Sequence, residues 1–316
     1  MARANAAYYA RRDPFADFVT SPEISQMFGE LLGAWAESCW EAMGKPARVV
    51  LAEAGPGRGT LMADVLRLIE RLIPQFAAAI DLWLIETSPR LREVQAQKLP
   101  KAKFADDLTG LPDGPLILLA NEFLDALPIR QFRWTEEGWM ERFVVDGAFV
   151  EWSCADVPRE ADAGQIVERC EAAEEFTKAL AGRLAHSGGV ALLVDYGSLR
   201  STPGDSLQAL RHGKPADPLA NPGSADLTAH VDFEALSKLA KAAGVKVHGP
   251  LAQGSFLSRL GVYQRANVLA RGKEPARAMK LMAEANRLAD PAMMGTLFKV
   301  MALAAPELPV PAGFDL

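Results

Sequence analysis

The chain is poor in the features that would commit it to a specialised class. Its 316 residues hold only three cysteines, Cys39, Cys154 and Cys170, with no C-x-x-C or paired histidine spacing, so neither a disulfide framework nor a zinc site is indicated and a reducing compartment fits. No apolar run approaches the ~18 residues of a transmembrane helix. Even the run from Pro115 to Ala120 stops at Asn121-Glu122, which argues against stable membrane insertion. Met1 to Arg12 lacks an apolar core, so a secretory signal is not expected. Basic residues do not dominate: 34 Lys and Arg against 40 Asp and Glu give −6, which argues against nucleic acid as the main partner. No internal repeat is visible. What remains is an ordinary globular composition, 49% hydrophobic and 23% charged.

The most informative stretch is Glu53-Ala54-Gly55-Pro56-Gly57-Arg58-Gly59-Thr60. It follows the apolar run from Val49 and precedes an amphipathic pattern at Leu61, Met62, Val65, Leu66, Ile69, Leu72 and Ile73, which reads as strand, tight turn and helix. Glycines let a ligand approach the backbone, and the first turn of the following helix offers unpaired N–H groups. A dinucleotide fingerprint would place its third glycine at position 60, where Thr60 stands, and a P-loop would need a lysine that Arg58-Gly59-Thr60 lacks. The remaining E-x-G-x-G-x-G pattern is similar to the first motif of S-adenosylmethionine-dependent methyltransferases.

Alternating helical and strand patterns predict a doubly wound α/β fold. Thr20-Ser21-Pro22-Glu23 reads as a helix start, with Thr20 and Glu23 as a possible capping box, and Ile24, Met27, Phe28, Leu31, Leu32, Trp35 and Cys39 form the core stripe behind it. Tyr8 to Phe18 reads as a lead-in without periodicity. A second strand, Ile80 to Ile85, ends at Glu86, 27 residues after Gly59, where an acid can accept hydrogen bonds from ribose hydroxyls; Thr87 and Ser88 complete that strand end. Asp106 and Asp107, after a short strand at Ala102 to Phe104, are candidates for an adenine amino group. Asn121 and Glu122 terminate the next strand and face the same crevice. A β-meander is expected between Ile129 and Trp152, exposed helices from Asp156 to Ala185, a strand at Val190 to Val194 ending in Asp195-Tyr196-Gly197, and an irregular excursion from Ser198 to Asp226. Helices at 233–239, 254–260 and 275–288 and strands at 244–247 and 293–303 complete the expectation.

Five ordered segments, Asp17 to Glu30, Glu53 to Thr60, Asn121 to Pro128, Asp195-Tyr196-Gly197 and Ala225 to Phe233, together resemble the MidA-like methyltransferases over nearly the whole chain. The resemblance implies a class I S-adenosylmethionine-dependent methyltransferase fold, a Rossmann-like and mainly parallel sheet with helices on both faces. It is expected as one domain over 1–316: a lead-in and helix (1–45), a Rossmann-like core (46–128 and 189–316) and an inserted substrate-side segment (129–188). Family members carry a further helical segment before the tyrosine pair, so a lid or substrate wall is expected to be missing here, and Ala16 stands where the family has a glycine. The family's mitochondrial member is a complex I assembly factor. The implied reaction is symmetric dimethylation of an arginine in a quinone-end subunit of respiratory complex I, in the cytoplasm of a bacterium or the mitochondrial matrix of a eukaryote.

Carried over by position, Glu53, Gly55, Gly57, Gly59, Thr60, Glu86 and Asn121 belong to the cofactor, with Thr20, Ser21 and Glu23 closing over it. An arginine acceptor is always cationic, so it calls for carboxylates that orient its nitrogen. Glu122 and Asp125 are the first candidates, Asp195 and Tyr196 the second, and His230 a proton relay. A non-catalytic assembly chaperone that binds the same cofactor, and a nicotinamide-dependent oxidoreductase, are the alternatives.

Overall fold

The computed structural model describes residues 1–11, 20–155 and 161–315. Ala16 and the Asp17-Phe18-Val19 start of the first family segment lie outside the described residues. The chain opens on α1 (Ala2–Arg11), a helix where a featureless lead-in was expected. The next expected helix is broken in two: α2 (Ser21–Ile24) is a single turn, Ser25 is extended at φ −159°, and α3 (Gln26–Ala42) starts beyond it. Ser25 rather than Thr20 caps the long helix, its Oγ accepting from Met27 N, and Thr20 makes no side-chain cap bond.

The core then alternates strand and helix: β1 (Val49–Ala54), α4 (Thr60–Leu72), α5 (Pro74–Ala79), β2 (Ile80–Ile85), α6 (Pro89–Lys98), β3 (Lys103–Ala105) and β4 (Leu116–Asn121). An excursion follows, β5 (Arg130–Thr135), β6 (Gly138–Val145), β7 (Ala148–Ser153) and β8 (Ile166–Arg169), paired antiparallel in the order β7-β6-β5-β8. The meander is as expected. Strand β8 was not expected, since it lies inside a stretch read as helical, and neither was the burial of α7 (Glu171–Ser187), whose Ala173, Leu180, Ala181 and Leu184 enter the core on one face of the main sheet. The alanine-rich text hid that face, since alanine signals neither burial nor exposure by periodicity.

Strand β9 (Gly189–Ser198) returns to the main sheet. The excursion after it holds β10 (Gln208–Arg211) and β11 (Lys214–Pro215), which with β12 (Asp226–Thr228) form a small antiparallel sheet, and the chain continues through β13 (Val231–Asp232) and α8 (Phe233–Ala242). The remainder is β14 (Lys246–Ala252), α9 (Gln253–Arg259), α10 (Val262–Ala270), α11 (Pro275–Ala289) and β15 (Phe298–Ala304), of which α10 was not anticipated.

The main sheet runs β14-β15-β9-β4-β1-β2-β3, with β13 added beside β9. Pairs from β3 to β9 are parallel, and β15 is antiparallel to both β9 and β14. Alternate residues of the same strands enter two separate cores, Val49, Leu51, Ile117 and Leu119 on one face and Val50, Ala52, Leu116 and Leu118 on the other, which is why β1 and β4 read as continuous apolar runs. From β1 the chain goes to β2 and β3 on one side and to β4 on the other, so strand order reverses between β1 and β4. A crevice opens at the carboxyl ends of these two strands, the place where open α/β sheets bind ligands.

Candidate functional site

The turn after β1 holds Gly55, Gly57 and Gly59 at φ +64°, +53° and +70°. A side chain at such angles costs about 1–2 kcal/mol per residue. At Gly55 space is a second constraint: a Cβ there would lie 2.7 Å from Phe123 Cδ2. Gly59 caps α4, whose free N–H groups face the turn. One of them, from Met62, reaches the Glu53 carboxyl, which is 3% exposed and pushed up to about 8 by burial.

Glu53, Gly55, Gly57 and Thr60 line a cavity of about 450 Å³ together with Glu86, Thr87, Ser88, Asn121, Glu122 and Phe123, whereas Gly59 lies outside the lining and serves as the left-handed cap of α4. At the end of β2, Glu86 Oε1 accepts from Ser88 N (2.7 Å) and Oε2 from Gln95 Nε2 (3.2 Å), and burial raises its pKa. Gln95 also donates to Gly57 O (2.7 Å), tying the acid to the glycine turn. Two buried acceptors here, Glu53 Oε2 and Asn121 Oδ1, have no donor among the described residues. Orphaned buried acceptors are rare, and a ligand bearing ammonium or hydroxyl donors satisfies them. The cavity therefore fits the amino-acid and ribose groups of S-adenosylmethionine.

Thr20, just before α2, and Glu23 within it line the cavity, and Thr60 Oγ1 donates to Glu23 Oε1 (2.6 Å). Ser21 does not line it; its N–H donates to Glu122 Oε1 (3.0 Å). Asp106 and Asp107 are also absent from the lining. Asp106 is 80% exposed and pairs with Arg92, and Asp107 accepts from Thr109 N and Oγ1.

A second cavity, about 100 Å³, adjoins the first and shares Tyr9 and Glu122 with it. Its lining brings together the carboxylates of Glu122, Asp125 and Asp226, with Tyr196 and His230, and among the described residues holds no lysine or arginine. Glu122 sits at φ +52°, a strained conformation for a residue with a side chain. Burial, then the charges of Asp195 and Asp226, push its carboxyl up to about 8 against the pull of Ser21 N–H and the Asn121 amide. Asp125 is also raised well above the usual carboxylate range, by burial and then by Asp195, Glu122 and Asp226. Tyr9 donates its hydroxyl to Asp226 Oδ1 (2.9 Å). Tyr196 stacks on Phe298 at 4.1 Å between centroids, and His230 sits exposed at the outer rim, its Nε2 3.2 Å from Gln208 Nε2. Asp195 is buried and lines neither cavity.

Sequence reasoning did not single out Asn5, Tyr9, Gln95, Phe123 or Asp226. Asn5 latches α1 down by donating to Ala126 O (2.9 Å) and Leu227 O (2.8 Å), and α1 thereby lines the cofactor cavity with Asn5, Ala6 and Tyr9. Phe123 and Asp226 carried a signal, their places in the Asn121 to Pro128 and Ala225 to Phe233 segments. Among the described residues no group of three or more His, Cys, Asp or Glu is arranged to hold a metal ion, and no helix is long and apolar enough to cross a membrane.

The family model described as "Putative S-adenosyl-L-methionine-dependent methyltransferase" matches residues 31–251. The mouse protein arginine methyltransferase NDUFAF7, mitochondrial, is 38% identical over 337 residues, covering 94% of this chain and 77% of its own. The zebrafish protein of the same name is 37% identical over 332 residues, 92% of this chain and 78% of its own. A Burkholderia thailandensis protein solved with bound S-adenosyl-homocysteine superposes with a TM-score of 0.76 at 25% identity, covering 94% of this chain and 81% of its own.

Proposed function

Because the chain belongs to this S-adenosylmethionine-dependent methyltransferase family, we propose that it methylates arginine in a protein substrate and that the acceptor guanidinium occupies the acid-lined cavity. One observation carries the reading: three carboxyl groups and, among the described residues, no lysine or arginine line a cavity that meets the cofactor cavity at Glu122 and Tyr9. A guanidinium is planar, permanently charged and rich in N–H donors, so enclosed carboxylates are its natural counterpart. Lysine would satisfy the charge but not the number of acceptors. The mouse and zebrafish relatives, named as protein arginine methyltransferases, support the same acceptor.

Glu53, Glu86 and Asn121 would hold the cofactor by its ammonium and hydroxyl donors, with the glycine turn giving its chain access to the backbone. Bound there, S-adenosylmethionine supplies an electrophilic methyl on a sulfonium. The chain's part is to orient one guanidinium nitrogen toward the shared boundary of the two cavities. Methylation of a guanidinium leaves a guanidinium cation and one proton to be removed. Oε1 of Glu122 already accepts from Ser21 N and Asn121 Nδ2, both at 3.0 Å, so its Oε2 is the oxygen for that proton. A carboxyl pushed up to about 8 is matched to this role near neutral pH.

The resemblance to the MidA-like family extends the proposal to the substrate, a quinone-end subunit of respiratory complex I, with symmetric dimethylation supporting its assembly. The test is mass spectrometry of complex I subunits from cells with and without the protein, paired with transfer of labelled methyl in vitro. Dimethylarginine that disappears with the protein is expected. Methyl groups on lysine or carboxylate side chains, or no protein-dependent methylation, would overturn the arginine reading.

A further inference from the structure

Asp195 differs from the neighbouring acids in what it touches. It lies near the end of β9, is 1% exposed and faces backbone. Its Oδ2 accepts from three consecutive amides, Phe123 N (3.1 Å), Leu124 N (2.8 Å) and Asp125 N (3.3 Å), and Oδ1 accepts from Tyr196 N (2.9 Å). Successive N–H groups converging on one oxygen form a nest for an anion. Here the anion is built into the next strand.

The turn held in this way serves both cavities. The Phe123 ring lies against Gly55 and lines the cofactor side, while Glu122 and Asp125 line the acceptor side. Glu122 enters the turn at φ +52°, a conformation the chain does not hold unaided, and its N–H donates to Val194 O (2.9 Å). Strand β9 thus grips the turn by one carbonyl and one carboxylate. We infer that Asp195 is the positioning residue of the transfer: its carboxylate fixes the 122–125 turn, and so the separation between the acceptor-binding acids and the wall of the cofactor cavity.

The inference rests on the reading that Glu122 and Asp125 hold the acceptor, and its test has an arm that needs no acceptor. Hydrogen exchange in the wild-type full chain should show the amides of Phe123, Leu124 and Asp125 protected to the level of β4. In Asp195→Asn one carbonyl oxygen remains for the three amides, but the new NH₂ group opposes Tyr196 N–H, so exchange at 123–125 should rise at least tenfold. Methyl transfer should fall at least thirtyfold in kcat, with S-adenosyl-homocysteine affinity within about fivefold by calorimetry. The kcat–pH profile should keep its acid limb, because Asp195 takes no proton from the acceptor, but the limb should move to lower pH, because the Asp195 charge no longer raises Glu122. Unprotected wild-type amides, or exchange at 123–125 unaltered by the substitution, would overturn the inference whatever the acceptor is. A profile that loses its acid limb in Asp195→Asn would make Asp195 a proton acceptor instead. If arginine transfer is absent in the wild type, the exchange arm still decides the role of Asp195.

Discussion

The two cavities that meet at Tyr9 and Glu122 are assembled in different ways. The donor cavity is built around one strand–turn–helix and the next strand end, residues 53–61 and 86–91, where glycine backbone and a helix N-terminus set the shape, and it is closed by side chains from α1, the α2 turn and the turn after β4. The acceptor cavity joins side chains from α1, the turn after β4, the end of β9 and the β10–β12 excursion; its Tyr9 to Asp226 hydrogen bond spans 217 positions of chain. Backbone recognition suits a cofactor common to a whole class of enzymes. Side chains collected over long distances suit a substrate particular to one family.

If that division holds, the two halves can be damaged separately, and the largest separation is expected at Glu122. Glu122→Gln keeps an Oε1 acceptor for Ser21 N and Asn121 Nδ2 while removing the charge and the proton-accepting oxygen. Methyl transfer should fall about 100-fold or more, the lower end of what general acid–base groups contribute. Cofactor affinity by calorimetry should change no more than about threefold. Equal losses in both would show that Glu122 belongs to the donor half as much as to the acceptor half.

Gly55→Ala damages the other side. It adds a side chain at φ +64° and places a Cβ 2.7 Å from Phe123 Cδ2. The strain and the displaced ring together should weaken S-adenosyl-homocysteine binding by about 10- to 100-fold, or about 1.4–2.8 kcal/mol. Saturating cofactor should recover most of kcat. A variant that binds normally but transfers poorly would mean that the Phe123 contact matters to the acceptor turn and that the halves are not separable there.

The same division explains what was legible beforehand. Glu53, Gly55, Gly57 and Glu86 declared themselves because a strand, a φ-permissive turn and a strand-end acid are local patterns, and these residues line one cavity, while Gly59 caps α4 beside it. Asp106 and Asp107 were placed by analogy of position, and side-chain partners close at hand, Arg92 and Thr109, engage them instead. Tyr9 lay in a stretch without helical periodicity because α1 rests on cap-like bonds from Asn5 and on scattered alanines rather than on an apolar stripe. Gln95 is one polar residue on a polar helix, and only the fold reveals that it joins Gly57 O to Glu86. The break at Ser25 was invisible because Thr20 to Glu23 satisfies the sequence rules for a helix start while the real cap lies one turn later.

The smallest effect separates the halves by charge. Glu53 and Glu122 both have carboxyls pushed from 4.5 to about 8, but for different reasons: Glu53 by burial alone, Glu122 by burial reinforced by Asp195 and Asp226. An acid whose folded pKa is raised binds more protons in the native state than in the unfolded chain. Its contribution to stability is therefore fully present below about pH 4.5 and is lost as pH rises to about 8. Without cofactor, the difference in Tm between wild type and Glu53→Gln, or wild type and Glu122→Gln, should move against the wild type across that window and level off above it. In an Asp226→Asn background one of the reinforcing charges is gone, so the Glu122 window should end at lower pH, whereas the Glu53 window should stay where it was. A wild type that gains on Glu122→Gln with rising pH would show that Glu122 is ionised in the folded protein, held by Ser21 N–H and the Asn121 amide. The acceptor cavity would then await its cation fully charged, and the proton released by methylation would have to leave by Asp125 or Asp226.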